Sequence, residues 1–137
     1  MSYLLDTNIV SEVLKARPNL NVKKWLEAIP SDTLFTSVLT LGEIRKGIEK
    51  LVHGQRKNQL IIWLEHEFPK WFGSRILSIT PEIAERWGYL TATLPRALPA
   101  IDGLLAATCL THNLKIVTRN IKDFDLPSLE VINPFET

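Results

Sequence analysis

Residues 2–13, SYLLDTNIVSEV, decide the fold: a short apolar run stops at Asp6, and polar residues with good helix-capping character follow at once. A run of this length reads as a strand. Four others resemble it, at residues 33–38 (TLFTSV), 75–80 (RILSIT), 114–119 (LKIVTR) and 129–133 (LEVIN). Between them the apolar spacing turns helical. Leu41, Ile44, Ile48 and Leu51 recur at intervals of three and four, as do Leu60, Trp63, Leu64, Phe68 and Trp71. Thr80-Pro81-Glu82 is a helix start, with Thr80 as cap and proline in the first turn, and Pro99 opens the next helix similarly. The resulting order, β-α-β-α-α-β-α-α-β-β, predicts a largely parallel sheet with helices on both faces.

The chain has 137 residues, the size of one ordinary domain, and no linker, repeat or low-complexity tract divides it, so residues 1–137 are expected to form a single domain. Apolar residues make up 45% and charged residues 23%, the balance of a soluble globular protein. No apolar run approaches the roughly 18 residues of a membrane span, and the N-terminus carries no signal-peptide pattern, so a cytoplasmic location is expected. The lone cysteine, Cys109, cannot form an internal disulfide, is poorly suited to a cysteine-based zinc site and reads as core filler. A net charge of +1 gives no general attraction to phosphate, so nucleic-acid binding would need a local basic surface.

In open parallel sheets, ligands bind beyond the carboxyl ends of the strands. Asp6 lies there after the first strand and Thr118-Arg119-Asn120 after the fourth, while Glu43 and Asp102 lie near the starts of helices approaching the same edge. Each has a plain structural reading. Asp6 suits a helix cap. Glu43 closes a capping box with Thr40, although it also sits off the apolar stripe of its helix, with Gly42 and Gly47 leaving space nearby. Asp102 suits the first turn of a helix, where acids are favoured. That reading explains less for Asp102, because residues 99–110, PAIDGLLAATCL, are apolar nearly throughout, and an unpaired carboxylate is costly to bury. A divalent cation shared by Asp6 and Asp102 would answer the charge, and Gly103 beside it allows close packing. Carboxylates without a cysteine cluster or paired histidines favour Mg²⁺ or Mn²⁺ over zinc. The chemistry such a site suits is phosphodiester hydrolysis.

In order and spacing, LLDTNIVSEVLK (4–15), LTLGEIRKGI (39–48), IDGLLAAT (101–108), IVTRNIKDF (116–124) and VINPFE (131–136) resemble the PIN-domain nucleases, specifically the VapC-type toxins of toxin–antitoxin pairs. The resemblance spans the whole chain. It implies a three-layer α/β/α sandwich around a central, mostly parallel five-stranded sheet. It further implies a Mg²⁺- or Mn²⁺-dependent endoribonuclease acting through metal-activated water, a homodimer, and a cognate VapB-type antitoxin through which alone operator DNA is met. On this resemblance Asp6 and Asp102 are the principal metal ligands, Glu43 completes the acidic pocket, and Thr118 holds Asp6 in place. The fourth acidic position of many relatives is Asn120 here, a neutral amide; Asp123, three residues on, either substitutes for it in part or is an exposed loop acid.

Basic residues Arg45, Lys46, Lys50, Arg56 and Lys57 flank the second acidic motif and read either as a solvated face or as a strip for RNA phosphates, with Arg119 better placed to touch substrate. The segment 58–72, NQLIIWLEHEFPKWF, reads as core, with any exposed part offering a groove for an antitoxin helix. His53, His66 and His112 share no metal-binding spacing. Two other readings compete. A phosphotransfer domain also carries an aspartate at a strand end, but needs a neighbouring acid where this chain has Thr7 and Asn8. A weakly catalytic or non-catalytic partner in a DNA-bound repressor complex is the reading that Asn120 keeps open.

Overall fold

All five apolar runs are strands in a computed structural model, which describes residues 1–136. They are β1 (Tyr3–Leu5), β2 (Leu34–Ser37), β3 (Ile76–Leu77), β4 (Lys115–Val117) and β5 (Val131–Ile132). The sheet order is β3-β2-β1-β4-β5 and every pairing is parallel, with Leu4 opposite Phe35 on one side and Ile116 on the other. Parallel neighbours require crossovers, and helices supply most of them. Helices α1 (Thr7–Val13) and α2 (Leu20–Ala28) link β1 to β2; α3 (Val38–Glu49), α4 (Gln55–Ile62) and α5 (Phe68–Phe72) link β2 to β3; α6 (Pro81–Thr93) and α7 (Ala100–His112) link β3 to β4.

The alternation of side chains along the strands separates two cores. Tyr3, Leu5, Leu34 and Val117 pack with Ile9, Val10, Val22, Ile44, Ile48, Leu64, Phe68 and Phe72, so helices α1 to α5 cover that face. Leu4 and Ile116 pack instead with Leu105, Ala106 and Cys109 of α7 and with Phe124 and Leu126. This is the expected α/β/α sandwich. Burial of each large apolar side chain contributes about 1.5–3 kcal/mol relative to leaving it exposed.

Three local expectations need correction. The first crossover holds two helices rather than one, because Pro18 cannot continue α1 and the Asn19 side chain caps α2 by accepting the Asn21 and Val22 N–H groups. The apolar segment 58–72 is helical throughout but not a regular α-helix. Pro69 lacks an N–H and would crowd the carbonyl of Glu65 in a regular helix, and Trp63–Glu67, the turn just before α5, widens to π geometry. The capping box of Thr40 and Glu43 does not form either: α3 starts nearly a turn earlier, with the Ser37 hydroxyl accepting the Leu39 N–H at 3.1 Å.

Other expectations hold. Thr80 caps α6 by accepting the Ile83 N–H, and Pro99 immediately precedes α7. Gly103 admits close packing, since a Cβ there would lie 3.0 Å from the Trp87 indole. Among the described residues, no helix is long and apolar enough to cross a membrane.

Candidate active site

From β1 the chain builds outward to β2 and β3 on one side and later to β4 and β5 on the other, so the topological switch point lies between β1 and β4. Crevices form at such points beyond the strand ends. Asp6 leaves β1 there and Thr118 leaves β4, joined by the Asp6 N–H donating to the Val117 carbonyl at 3.0 Å.

Asp6 is only 5% exposed and is heavily hydrogen-bonded. Its Oδ1 accepts the Thr7 N–H at 2.7 Å. Its Oδ2 accepts the Thr118 hydroxyl at 2.8 Å and the Asn8 amide at 3.3 Å. Asp6 therefore caps α1 and sits in the crevice at once; the two readings of this residue are compatible. Burial raises its pKa, the bonds from Thr118 and Thr7 oppose that rise, and the Glu43 charge adds to it. Thr118 has a single hydroxyl proton, and it points at Asp6 because its oxygen already accepts from Asn8 Nδ2 at 3.2 Å and from the Asn120 N–H at 3.0 Å.

Glu43 arrives from α3, half-buried, and its Oε1 accepts the Thr7 hydroxyl at 2.6 Å. Thr7 thus ties the start of α1 to the second acid, with the Thr40 hydroxyl 3.4 Å away.

Asp102, half-buried in the first turn of α7, is answered quite differently. No hydrogen-bond donor among the described residues reaches it. Burial pushes its carboxyl up to about 6, and the charges of Asp6, Asp123 and Glu43, in that order, push the same way. Asp102 therefore feels the charges of the other three acids across the crevice, and Asp6 that of Glu43. Asp123 reaches them from the short 3₁₀ turn Ile121–Phe124, which Arg96 pins from outside by donating to the carbonyls of Lys122 at 3.0 Å and Asp123 at 3.3 Å. Asn120 is exposed, and it is its backbone N–H that meets Thr118. Of the two candidates for the fourth position, Asp123 is the one whose charge is felt at Asp102.

Among the described residues, no three His, Cys, Asp or Glu side chains stand close enough to ligate one ion as they are. The donors nonetheless fit Mg²⁺ or Mn²⁺. They are hard oxygens with excess negative charge, and Mg²⁺ keeps several waters and takes one or two carboxylates together with substrate phosphate. His53, His66 and His112 are all exposed and lie outside this constellation.

The basic strip is largely committed elsewhere. Arg45 pairs with Glu49 at 2.9 Å and Glu65 at 3.4 Å. Lys57 is buried and donates to the carbonyls of Glu49 and Leu51, and Arg56 donates to the Leu14 carbonyl. Lys46 and Lys50 stay exposed. Arg119 lies with its guanidinium 4.7 Å from the Phe135 ring centre. Leu64, Phe68 and Phe72 of the segment 58–72 are core, whereas Trp71 borders an apolar groove with Val13, Val22, Leu26, Ile29 and Leu34.

Two site residues escaped the sequence reading, Thr7 and Asn8. Both lie in the Asp-Thr-Asn run that reads as a helix cap, and only the parallel arrangement of β1, β4 and α3 reveals what their side chains reach.

The family model for the PIN domain matches residues 3–126. The VapC ribonuclease Y4jK of Sinorhizobium fredii is 32% identical over 136 residues, covering 97% of this chain and 97% of its own. The structure of FitAB bound to an IR36 DNA fragment superposes with a TM-score of 0.91 at 31% identity, over 98% of this chain and 96% of that one. A toxin–antitoxin complex from Klebsiella pneumoniae superposes with a TM-score of 0.74 at 30% identity, over 99% and 100% of the two chains.

Proposed function

Because this chain belongs to the PIN-domain family, we propose that it is a VapC-type toxin, an endoribonuclease dependent on Mg²⁺ or Mn²⁺ that hydrolyses RNA phosphodiester bonds. The observation that carries the reading is Asp102, a half-buried carboxylate with no donor among the described residues, facing the charges of Asp6, Asp123 and Glu43. Such an arrangement calls for a cation. Asp6 and Asp102 are the ligands in this reading. When bound, the ion would supply Lewis acidity toward phosphate and water. Thr118 and Asn8 hold the Asp6 carboxylate in one orientation, Thr7 holds Glu43 at the mouth of the crevice, and Glu43 there orients water. Asp123 adds the fourth charge beside the neutral Asn120. Lys46 and Arg119, with Arg45 behind its ion pairs, are the candidate phosphate contacts.

The same reading makes residues 1–137 a single domain in the cytoplasm, forming a homodimer and inhibited by a VapB-type antitoxin, with operator DNA met only through that antitoxin. The resemblance to VapC toxins and the toxin–antitoxin complex from Klebsiella pneumoniae support the partner. The groove bordered by Val22, Leu26, Ile29 and Trp71 suits the apolar face of a partner helix. The likeness to the DNA-bound FitAB structure favours a second reading, a weakly catalytic or non-catalytic member of a repressor complex.

Protein freed of antitoxin and incubated with structured RNAs in Mg²⁺, Mn²⁺ or EDTA separates the two. Cleavage is expected with either metal and not with EDTA. Asp6→Asn and Asp102→Asn should each lower it about a thousand-fold with the fold retained, the scale of losing several kcal/mol of charge stabilisation. Undiminished cleavage by both variants overturns the carboxylate mechanism, and a parent that cuts no RNA favours the repressor reading.

A further inference from the structure

The C-terminal run Asn133-Pro134-Phe135 takes no part in the acid cluster, yet it is tightly folded onto the molecule. The Asn133 side chain accepts the Phe135 N–H at 3.0 Å, and the Asn133 carbonyl accepts the Glu136 N–H at 3.2 Å. The Asn21 amide of α2 donates to the Phe135 carbonyl at 3.2 Å. The Phe135 ring is half-buried against the core around α1 and α2, and the exposed residue Arg119 lays its guanidinium over it.

Arg119 is anchored at both ends. Its backbone N–H donates to Asn8 Oδ1 at 3.1 Å, and the amide of Asn8 bonds Asp6, so the residue starts inside the acidic crevice. Its side chain then runs to Phe135 and comes near the buried carboxylate of Glu12. That carboxylate already accepts the Asn19 N–H at 2.8 Å and Lys15 Nζ at 2.9 Å. Asn8 and Glu12 are four residues apart on α1, hence neighbours about 5–6 Å apart on one face. The guanidinium therefore lies roughly one helical turn beyond Asn8, the residue whose amide bonds Asp6. A pocket of four carboxylates repels a polyanion, and a net charge of +1 offers no compensation at long range. A fixed cation one step away does.

We propose that the Asn133-Pro134-Phe135 turn positions Arg119 for RNA binding, holding its guanidinium at the rim of the acidic crevice, where it takes the phosphate next to the scissile one. The inference rests on the RNA-cleaving reading above. Phe135 is a positioning residue and Arg119 the one that meets substrate. The aromatic face restricts the guanidinium without neutralising it, and the Glu12 carboxylate nearby is already paired with Lys15.

The test is a double-mutant cycle read by anisotropy of a labelled single-stranded RNA oligonucleotide, using the full chain with Ca²⁺ in place of Mg²⁺, while cleavage in Mg²⁺ is followed separately. Arg119→Ala should weaken binding about ten-fold and lower the dependence of log Kd on log salt by close to one unit. Phe135→Leu, which keeps the apolar bulk, should weaken it about three-fold, and Phe135→Tyr should bind like the parent. Combined with Arg119→Ala, Phe135→Leu should add nothing. Should Phe135→Leu melt early, Arg119→Lys reads the same contact from the other side and is expected to lose a similar three-fold. Equal weakening by Phe135→Leu in both backgrounds, or parental binding by Arg119→Ala, overturns the proposal. A parent that binds RNA with this coupling but cuts none overturns only the nuclease reading, and one that cuts RNA with additive variants overturns only the positioning of Arg119.

Discussion

The two sides of the crevice solve the problem of a buried acid in opposite ways. On the strand side, Asp6 is nearly sequestered yet receives donors from Thr7, Thr118 and Asn8. On the helix side, Asp102 is less buried, receives no donor among the described residues, and faces three other carboxylates. A folded chain can satisfy a carboxylate internally, and at Asp6 this one does. Among the described residues it does not do so at Asp102, and on the reading proposed above that charge is left for the cation. The strand side supplies rigidity and the helix side supplies demand.

The largest expected effect comes from breaking the rigid side. Thr118→Val keeps the shape of the residue but removes the donor to Asp6 Oδ2 and the acceptor for both Asn8 and the Asn120 N–H. Buried groups left without partners cost about 1–3 kcal/mol each. Because Asn120 borders solvent, a net loss of about 2 kcal/mol in urea unfolding is expected. With Thr118 gone, burial raises the Asp6 pKa further, so the acid limb of RNA cleavage should move to higher pH as well. Unchanged stability and an unchanged pH profile would mean that Asp6 is held by the α1 backbone alone, erasing the contrast between the two sides.

This contrast was only partly legible in the sequence. The strands were, because parallel strands packed on both faces leave short apolar runs, and Asp6 and Asp102 were, because an acid stands out against such runs. The boundaries of the second crossover were less so. Its apolar residues keep helical spacing through Pro69, and the π turn that accommodates the proline leaves that spacing almost unchanged. Capping signals misled at Thr40, where Ser37 offers an equally good hydroxyl one turn earlier. The roles of Thr7 and Asn8 were hidden for a different reason. Their partners, Glu43 and Thr118, lie 36 and 110 residues away, and local propensity carries no information about such pairs. The partners of the basic strip were hidden similarly: composition does not say that Arg45 is ion-paired or that Lys57 is buried against carbonyls.

Thr7 offers a smaller but more selective test, since its hydroxyl bonds Glu43 and neither Asp6 nor Asp102. Its hydroxyl is bonded to Glu43 Oε1, so Thr7→Val releases Glu43 while leaving the Thr7 N–H to bond Asp6. Cleavage should fall about ten-fold in kcat, less than the roughly hundred-fold or more that losing a positioned acid–base group outright would cost, and Thr7→Ser should restore most of it. Equal losses for the valine and serine variants would assign Thr7 to packing, and no loss for either would remove Glu43 from the reaction.

The smallest effect sharpens the demand side. A carboxyl raised to about 6 holds its proton in the folded chain over a range in which the unfolded chain, with a value of about 4, has lost it. Between these values the folded state binds more protons, so stability attributable to Asp102 is greatest below about pH 4, declines through pH 6 and stays low above it. Asp102→Asn removes the decline. In EDTA at pH 7.5 the variant should melt above the parent, and at pH 4 the difference should vanish. Solvent screening at this half-exposed site reduces the gain to about 1 kcal/mol, or roughly 4 °C. Comparing variant with parent at each pH cancels the other titrating groups to first order. Adding Mg²⁺ at pH 7.5 should then raise the parent's melting temperature and leave that of the variant nearly unmoved, because a cation stabilises only the chain that kept the charge. A variant that melts at or below the parent in EDTA would show that Asp102 is already satisfied from within, like Asp6, and that both sides of the crevice answer their acids alike.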